Sequence, residues 1–182
     1  MAKTFSSALV LATVITSSQV VAVTQDFKQP IKVDAKYQFV DGKNKTSVFK
    51  EDVHISQGSL YIQADEVELR ADQGEGREVF IARGKPATYE QTLEDGSRIK
   101  AVADSIEYQV NSRTLALAGH AELHQNSSSV SGESIVFNME KEQLIAQGSD
   151  DNTGRVTTIF QPDTSKGAQQ EPAPEKDQPK EP

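Results

Sequence analysis

A short pattern recurs three times along this chain and constrains its architecture more than any single residue. The copies read Ile62-Gln63-Ala64-Asp65-Glu66-Val67-Glu68-Leu69, Lys100-Ala101-Val102-Ala103-Asp104-Ser105-Ile106-Glu107-Tyr108 and Val130-Ser131-Gly132-Glu133-Ser134-Ile135-Val136-Phe137. Each runs small residue, acid, any residue, branched apolar, any residue, large apolar. A shorter echo follows each copy: Val79-Phe80-Ile81-Ala82-Arg83-Gly84, Leu115-Ala116-Leu117-Ala118-Gly119 and Leu144-Ile145-Ala146-Gln147-Gly148. Self-similarity at a period of about 30–40 residues signals stacked supersecondary units.

The phase of the pattern carries more than its recurrence. In the first copy the apolar positions are even-numbered up to Ala64 and odd from Val67 to Leu69. The second copy is odd at Ile99, Ala101 and Ala103, then even at Ile106, Tyr108 and Val110. The third is even at Val130 and Gly132, then odd at Ile135 and Phe137. Such a slip turns the apolar set outward unless the strand bends or bulges at that point. The small residue and its acid are therefore a corner. Ala or Gly admits a close neighbour, and Asp or Glu faces water. Two short strands joined at a corner make one unit, and antiparallel pairing stacks the units.

The rest of the chain agrees. Ile31-Lys32-Val33-Asp34-Ala35, Val53-His54-Ile55 and Ala121-Glu122-Leu123 alternate with period two. Turn residues separate such runs at Asp41-Gly42-Lys43-Asn44, Gln57-Gly58, Asp72 to Gly76, Glu94-Asp95-Gly96 and Asn126-Ser127-Ser128. Ile31, Val33 and Ala35 match Leu60, Ile62 and Ala64 at an offset of 29, a further unit in decayed form. Arg155 to Phe160 reads as a closing strand, stopped by Pro162. The expected fold is all-β: a flattened, twisted stack of short antiparallel strands, open at both ends, with an apolar interior.

The termini read differently. Lys3, an apolar run from Ala8 to Ile15, and Val20-Val21-Ala22 form a secretory signal with cleavage expected after Ala22. Residues 23–161 then form one domain. Residues 162–182 are Pro, Gln, Glu and Lys with little to bury, and are expected to be a disordered polar tail. Of 19 Lys and Arg against 27 Asp and Glu, only Lys3 falls within the signal, so the mature chain has a formal charge of −9. That surface repels nucleic acid and gives no pull toward anionic membranes. No cysteine is present, so stability in an exporting compartment rests on burial and backbone pairing, not on disulfides.

Candidate chemistry is sparse. His120 and His124 lie on the polar side of a strand whose other face holds Ala121 and Leu123, and His54 flanks Val53 and Ile55. All three are expected to point to water, with no metal. Asp65, Asp104 and Glu133 resemble an array for Ca²⁺ or acid–base work, but successive stacked units make them a ladder of corner carboxylates. Ser127-Ser128-Ser129 is loop composition. No phosphate loop or hydrolase elbow occurs, and the chain reads as no enzyme, with no cofactor. Tyr89, Tyr108 and Phe137 fall on inward faces. They either fill a closed core or line a groove for an apolar ligand.

Several segments resemble a known family. Gln29-Pro30-Ile31-Lys32-Val33, Gln57 to Asp65, Gly84-Lys85-Pro86-Ala87-Thr88-Tyr89 and Arg155-Val156-Thr157-Thr158 are similar to the LptA family of lipopolysaccharide export proteins, within the OstA-like group. The resemblance covers roughly residues 23 to 161. It implies a β-jellyroll in the periplasm whose copies join head to tail into a bridge. The implied partners are lipopolysaccharide, the periplasmic domain of LptC, the N-terminal domain of LptD and further copies of itself. It implies lipid A acyl chains in an apolar groove lined by Phe27, Ile31, Val33, Tyr89, Tyr108 and Val110. Where the family usually has Gly before the strand at Val53, this chain has Glu51-Asp52, so that corner is expected to differ in shape. The competing reading is a structural or adhesive β-stack with a closed core and no lipid. A β-helical polysaccharide enzyme fits less well, because the acids fall at corners.

Overall fold

The computed structural model describes residues 29–149 and 154–161. The signal segment 1–22, Phe27 and the tail 162–182 lie outside them. Ten strands are present: β1 (Lys32–Asp34), β2 (Tyr37–Asp41), β3 (Thr46–Gln57), β4 (Leu60–Arg70), β5 (Val79–Thr92), β6 (Arg98–Gln109), β7 (Thr114–Gln125), β8 (Ser128–Asn138), β9 (Gln143–Gln147) and β10 (Thr157–Ile159). They form one antiparallel, unclosed sheet in the order β1-β3-β4-β5-β6-β7-β8-β10, with β2 also on β3 and β9 also on β8.

A break in register crosses every ladder from β3 to β8 at one level. Between β3 and β4, Lys50 faces Glu66 and Val53 faces Ala64, so Glu51 and Asp52 oppose Asp65 alone. Between β5 and β6, Gly84, Lys85 and Pro86 oppose Asp104. Between β7 and β8, Gly119 and His120 oppose Glu133. These are bulges, and a bulge bends its strand. Each long strand runs through the corner unbroken, so the corner folds a single strand and does not join two. Stacked corners make a spine, and the sheet doubles over it into two facing layers.

The first layer holds β2, the segments 46–50, 66–70, 79–83, 105–109, 114–118 and 134–138, and β9. The second holds β1, the segments 53–57, 60–64, 87–92, 98–103, 121–125 and 128–132, and β10. At both ends the rung is split between two short strands, β1 with β2 and β9 with β10. Eight rungs at the usual strand spacing give a stack about 34 Å long. The apolar residues of both layers form one core, from Phe49 and Val53 through Tyr89 and Tyr108 to Phe137 and Met139.

Each turn has a local cause. Asp41 Oδ1 accepts from the backbone N–H of Lys43 and Asn44, both at 3.0 Å, closing the β2–β3 turn. Gly58 and Asn126 take left-handed φ values of 60° and 54° between β3 and β4 and between β7 and β8.

Candidate functional site

Two apolar rows run along the interior. In the second layer, cross-strand neighbours pass from Val33 through Ile55, Ile62, Tyr89, Ala101 and Leu123 to Val130. In the first layer the row is Leu69, Phe80, Tyr108, Leu115, Phe137 and Leu144. Each row is a consequence of period-two alternation held in register over successive strands. They meet where the ring centroids of Tyr89 and Tyr108 lie 5.6 Å apart. Tyr89 is 0% exposed and Tyr108 1%. At that level the interior is packed.

The side opposite the spine is a seam between the turns of the two layers. Glu94, after β5, approaches Arg113, before β7, with Oε1 to Nη1 at 3.5 Å. The Tyr89 hydroxyl reaches Met139 Sδ at 3.9 Å and donates to Gln91 Oε1. Leu93 and Val110 pack half-buried against the core beside these turns. Toward the ends the interior opens: Val33, Val130 and Ala146 are partly exposed. The end strands also carry uncovered apolar side chains, including Phe39 on β2, Ile145 on β9 and Ile159 on β10.

The residues expected to line a groove are distributed as follows. Tyr89 and Tyr108 are brought into contact, and Val33 joins Tyr89 in one row. Val110 lies on the first layer's inward parity at the seam, its N–H bonded to Glu78 O at 3.1 Å. Ile31 precedes β1 and is exposed. Phe27 lies outside the described residues.

The acids Asp65, Asp104 and Glu133 are exposed at the spine. Among the described residues no group of three or more His, Asp and Glu converges as a metal site. Each histidine has an acid beside it instead. His120 Nδ1 lies 2.9 Å from Asp104 Oδ2, which raises the imidazole above its ordinary range through that hydrogen bond and charge. His124 Nε2 lies 2.7 Å from Glu122, and His54 lies 3.0 Å from Asp52. A shallow depression of about 760 Å³ sits outside the spine between Arg83, Lys85, Asp104 and His120. Its charges of both signs are largely matched.

The family described as LptA/(LptD N-terminal domain) LPS transport protein matches residues 32–143. The chain belongs to this family. It is 34% identical over 157 residues to the lipopolysaccharide export system protein LptA of Haemophilus influenzae, covering 85% of this chain and 90% of that one. It is 32% identical over 142 residues to LptA of Escherichia coli K12, covering 78% and 76%. The crystal structure of LptH, described as the LptA-homologous periplasmic component of the lipopolysaccharide transport device of Pseudomonas aeruginosa, superposes with a TM-score of 0.68 at 30% identity, over 75% of this chain and 99% of that one. The family places the doubled, unclosed sheet in a known context, and the all-β open stack read from the repeat is the fold observed.

Sequence reasoning found only half of this LptA-type spine. It located the single acids of β4, β6 and β8 and missed their counterparts, Glu51-Asp52, Lys85-Pro86 and Gly119-His120, as one device. The signal was available for two of the three, since Lys85-Pro86 and Gly119-His120 fall midway between successive acids along the chain. It also missed the seam turns at 110–113, where Asn111 and Ser112 were an available turn signal, and at 139–142, where Met139-Glu140-Lys141-Glu142 offers none.

Proposed function

We propose that this chain is a periplasmic carrier of lipopolysaccharide, with the signal removed after Ala22. The lipid A acyl chains lie between the two apolar rows while the saccharide stays in water at the seam. Copies join end to end into a bridge that runs from LptC at the inner membrane to LptD at the outer membrane. The observation that carries this reading is the pair of apolar rows, one from Val33 at the β1 end to Val130 on β8 and the other from Leu69 on β4 to Leu144 at the β9 end, in a chain whose relatives are named for lipopolysaccharide export. Burial of each CH₂ contributes roughly 0.8 kcal/mol, so a chain of about a dozen carbons gains up to ~10 kcal/mol. The protein and the phosphates of the ligand are both acidic, so apolar burial dominates over charge. Many similar contacts along a row let a chain slide, with no covalent step and no cofactor.

The sealed contact of Tyr89 with Tyr108 favours a second reading, a stack whose interior is only core. On the carrier reading the layers part there to admit a chain. Photo-crosslinkers at Tyr89, Tyr108, Val33 and Val110 in living cells separate the two. Lipopolysaccharide adducts at these positions are the expected result. Clean absence of adducts at every inward position leaves only the structural stack.

A further inference from the structure

One row on the inward face breaks the apolar rule. At the mouth of the second layer, the last inward residue before each turn is Gln57 on β3, Gln91 on β5 and Gln125 on β7. They recur at intervals of 34 residues. The parity that turns Val53 and Ile55, Ala87 and Tyr89, and Ala121 and Leu123 inward turns these three inward too. Gln57 faces Leu60, and Ile99 lies between Gln91 and Gln125. The row therefore alternates amide and branched apolar residue across the stack, with amides about 10 Å apart. Gln57 and Gln91 are buried, and Gln125 is half-buried.

Burying an amide costs free energy that a leucine at the same place does not. Three such substitutions at one register need a reason beyond core packing. Gln57 Nε2 donates to Gln29 O at 3.0 Å, and Gln91 Oε1 accepts from the Tyr89 hydroxyl. A side-chain amide carries two N–H donors and an oxygen with two lone pairs, so it can serve a protein partner and a ligand together. Gln91 also ties this row to the tyrosine contact that closes the interior.

We propose that Gln57, Gln91 and Gln125 form a polar rail at the seam that reads the boundary of an acylated saccharide. The inference rests on the carrier reading above. A ligand whose chains lie in the interior presents its ester and amide linkages and sugar hydroxyls at this mouth. Those groups are neutral donors and acceptors, and a neutral amide matches them. Anionic phosphates are better served by guanidinium forks, which this row lacks. Repetition along the stack gives a moving ligand the same partner at each step.

The test uses the mature chain, 23–182, with two probes: purified lipopolysaccharide and a long-chain saturated fatty acid that has no saccharide. In the variant Q57L/Q91L/Q125L, affinity for lipopolysaccharide is expected to fall by about tenfold or more, while the fatty acid binds within about twofold of the wild type. Equal loss for both probes, or no loss for either, overturns the rail. Should the triple variant fail to fold, Gln125→Leu alone, at the most accessible of the three positions, reads the same ratio, with a lipopolysaccharide-selective loss of about threefold expected and an unchanged ratio overturning the rail. A wild type that binds no lipopolysaccharide overturns the carrier reading itself, which distinguishes that failure from failure of the rail alone.

Discussion

The ring of Tyr89 meets the ring of Tyr108 at 5.6 Å and 54°, although the two residues project from opposite layers. β5 and β6 are adjacent strands, yet Tyr89 pairs with Ala101 and Tyr108 with Phe80. Contact between the two rings therefore spans the fold, not the ladder. A tilted pair at this distance is worth about 0.5–1.5 kcal/mol beyond its area. A double-mutant cycle with Tyr89→Leu and Tyr108→Leu, read by urea unfolding, should give a coupling of about 1 kcal/mol. Additive single effects would mean that the layers are apart in solution.

The β3 corner places two residues that are not glycine where the backbone turns left-handed. Glu51 and Asp52 take φ values of 64° and 56°, the left-handed region. The same place on β7 holds Gly119 at 76° and His120 at 49°. A side chain in that region costs about 1–2 kcal/mol, and glycine escapes it at some cost in unfolded-state entropy. Glu51→Gly is therefore expected to stabilise the chain by about 0.5–1 kcal/mol, seen as a higher thermal midpoint. The converse holds at Gly119, where an added Cβ meets Asp104 Oδ2 at 2.5 Å. Gly119→Ala should lower the midpoint, and a neutral result there would show that the spine relaxes freely.

What could be read from the chain alone follows from where the information is local. Alternation and parity live within a strand, so the corners at Asp65, Asp104 and Glu133, the inward set from Leu60 to Phe137 and the closing strand at Thr157 were all legible. Pairing across the fold is not local. Nothing in the neighbourhood of Glu94 names Arg113, and nothing beside Tyr89 names Tyr108. The left-handed turns at Arg113 and Glu142, with φ 47° and 52°, use residues that ordinarily signal strand or helix surface. Tertiary context imposes those conformations, and composition does not announce them. The inward tyrosines were readable as inward, but their mutual contact and complete burial were not.

His120 gives the spine a pH dependence. Its hydrogen bond to Asp104 raises the folded imidazole above the ordinary 6.5. A raised value means that the folded state holds the proton more tightly. The stabilisation is thus full below about pH 6 and fades as pH rises through the folded value. His120→Asn, which tolerates the left-handed backbone, should lower the thermal midpoint at about pH 5.5 and leave it nearly unchanged at about pH 8.5. Asp104→Asn should bring the His120 titration, followed by NMR, back toward its ordinary midpoint. A difference in midpoint that is the same at both pH values would assign the effect to packing instead of charge.

The closing strand tests assembly. β10 pairs with β8 on one side, with Thr157 facing Ser131 and Thr158 facing Val130. Its other edge has no strand beside it among the described residues, and Ile159 and Phe160 are 60% and 78% exposed. An unpaired edge flanked by exposed apolar side chains is a template for another strand. Successive residues of a strand direct their N–H groups to opposite sides, so one of the two threonines bonds β8 and the other points away. Proline removes that N–H. Of Thr157→Pro and Thr158→Pro, one should weaken the β8 ladder and lower the thermal midpoint. The other should leave the monomer's midpoint unchanged and abolish concentration-dependent oligomers in sedimentation velocity. Oligomers that persist in both variants would place the contact between copies elsewhere than on this edge.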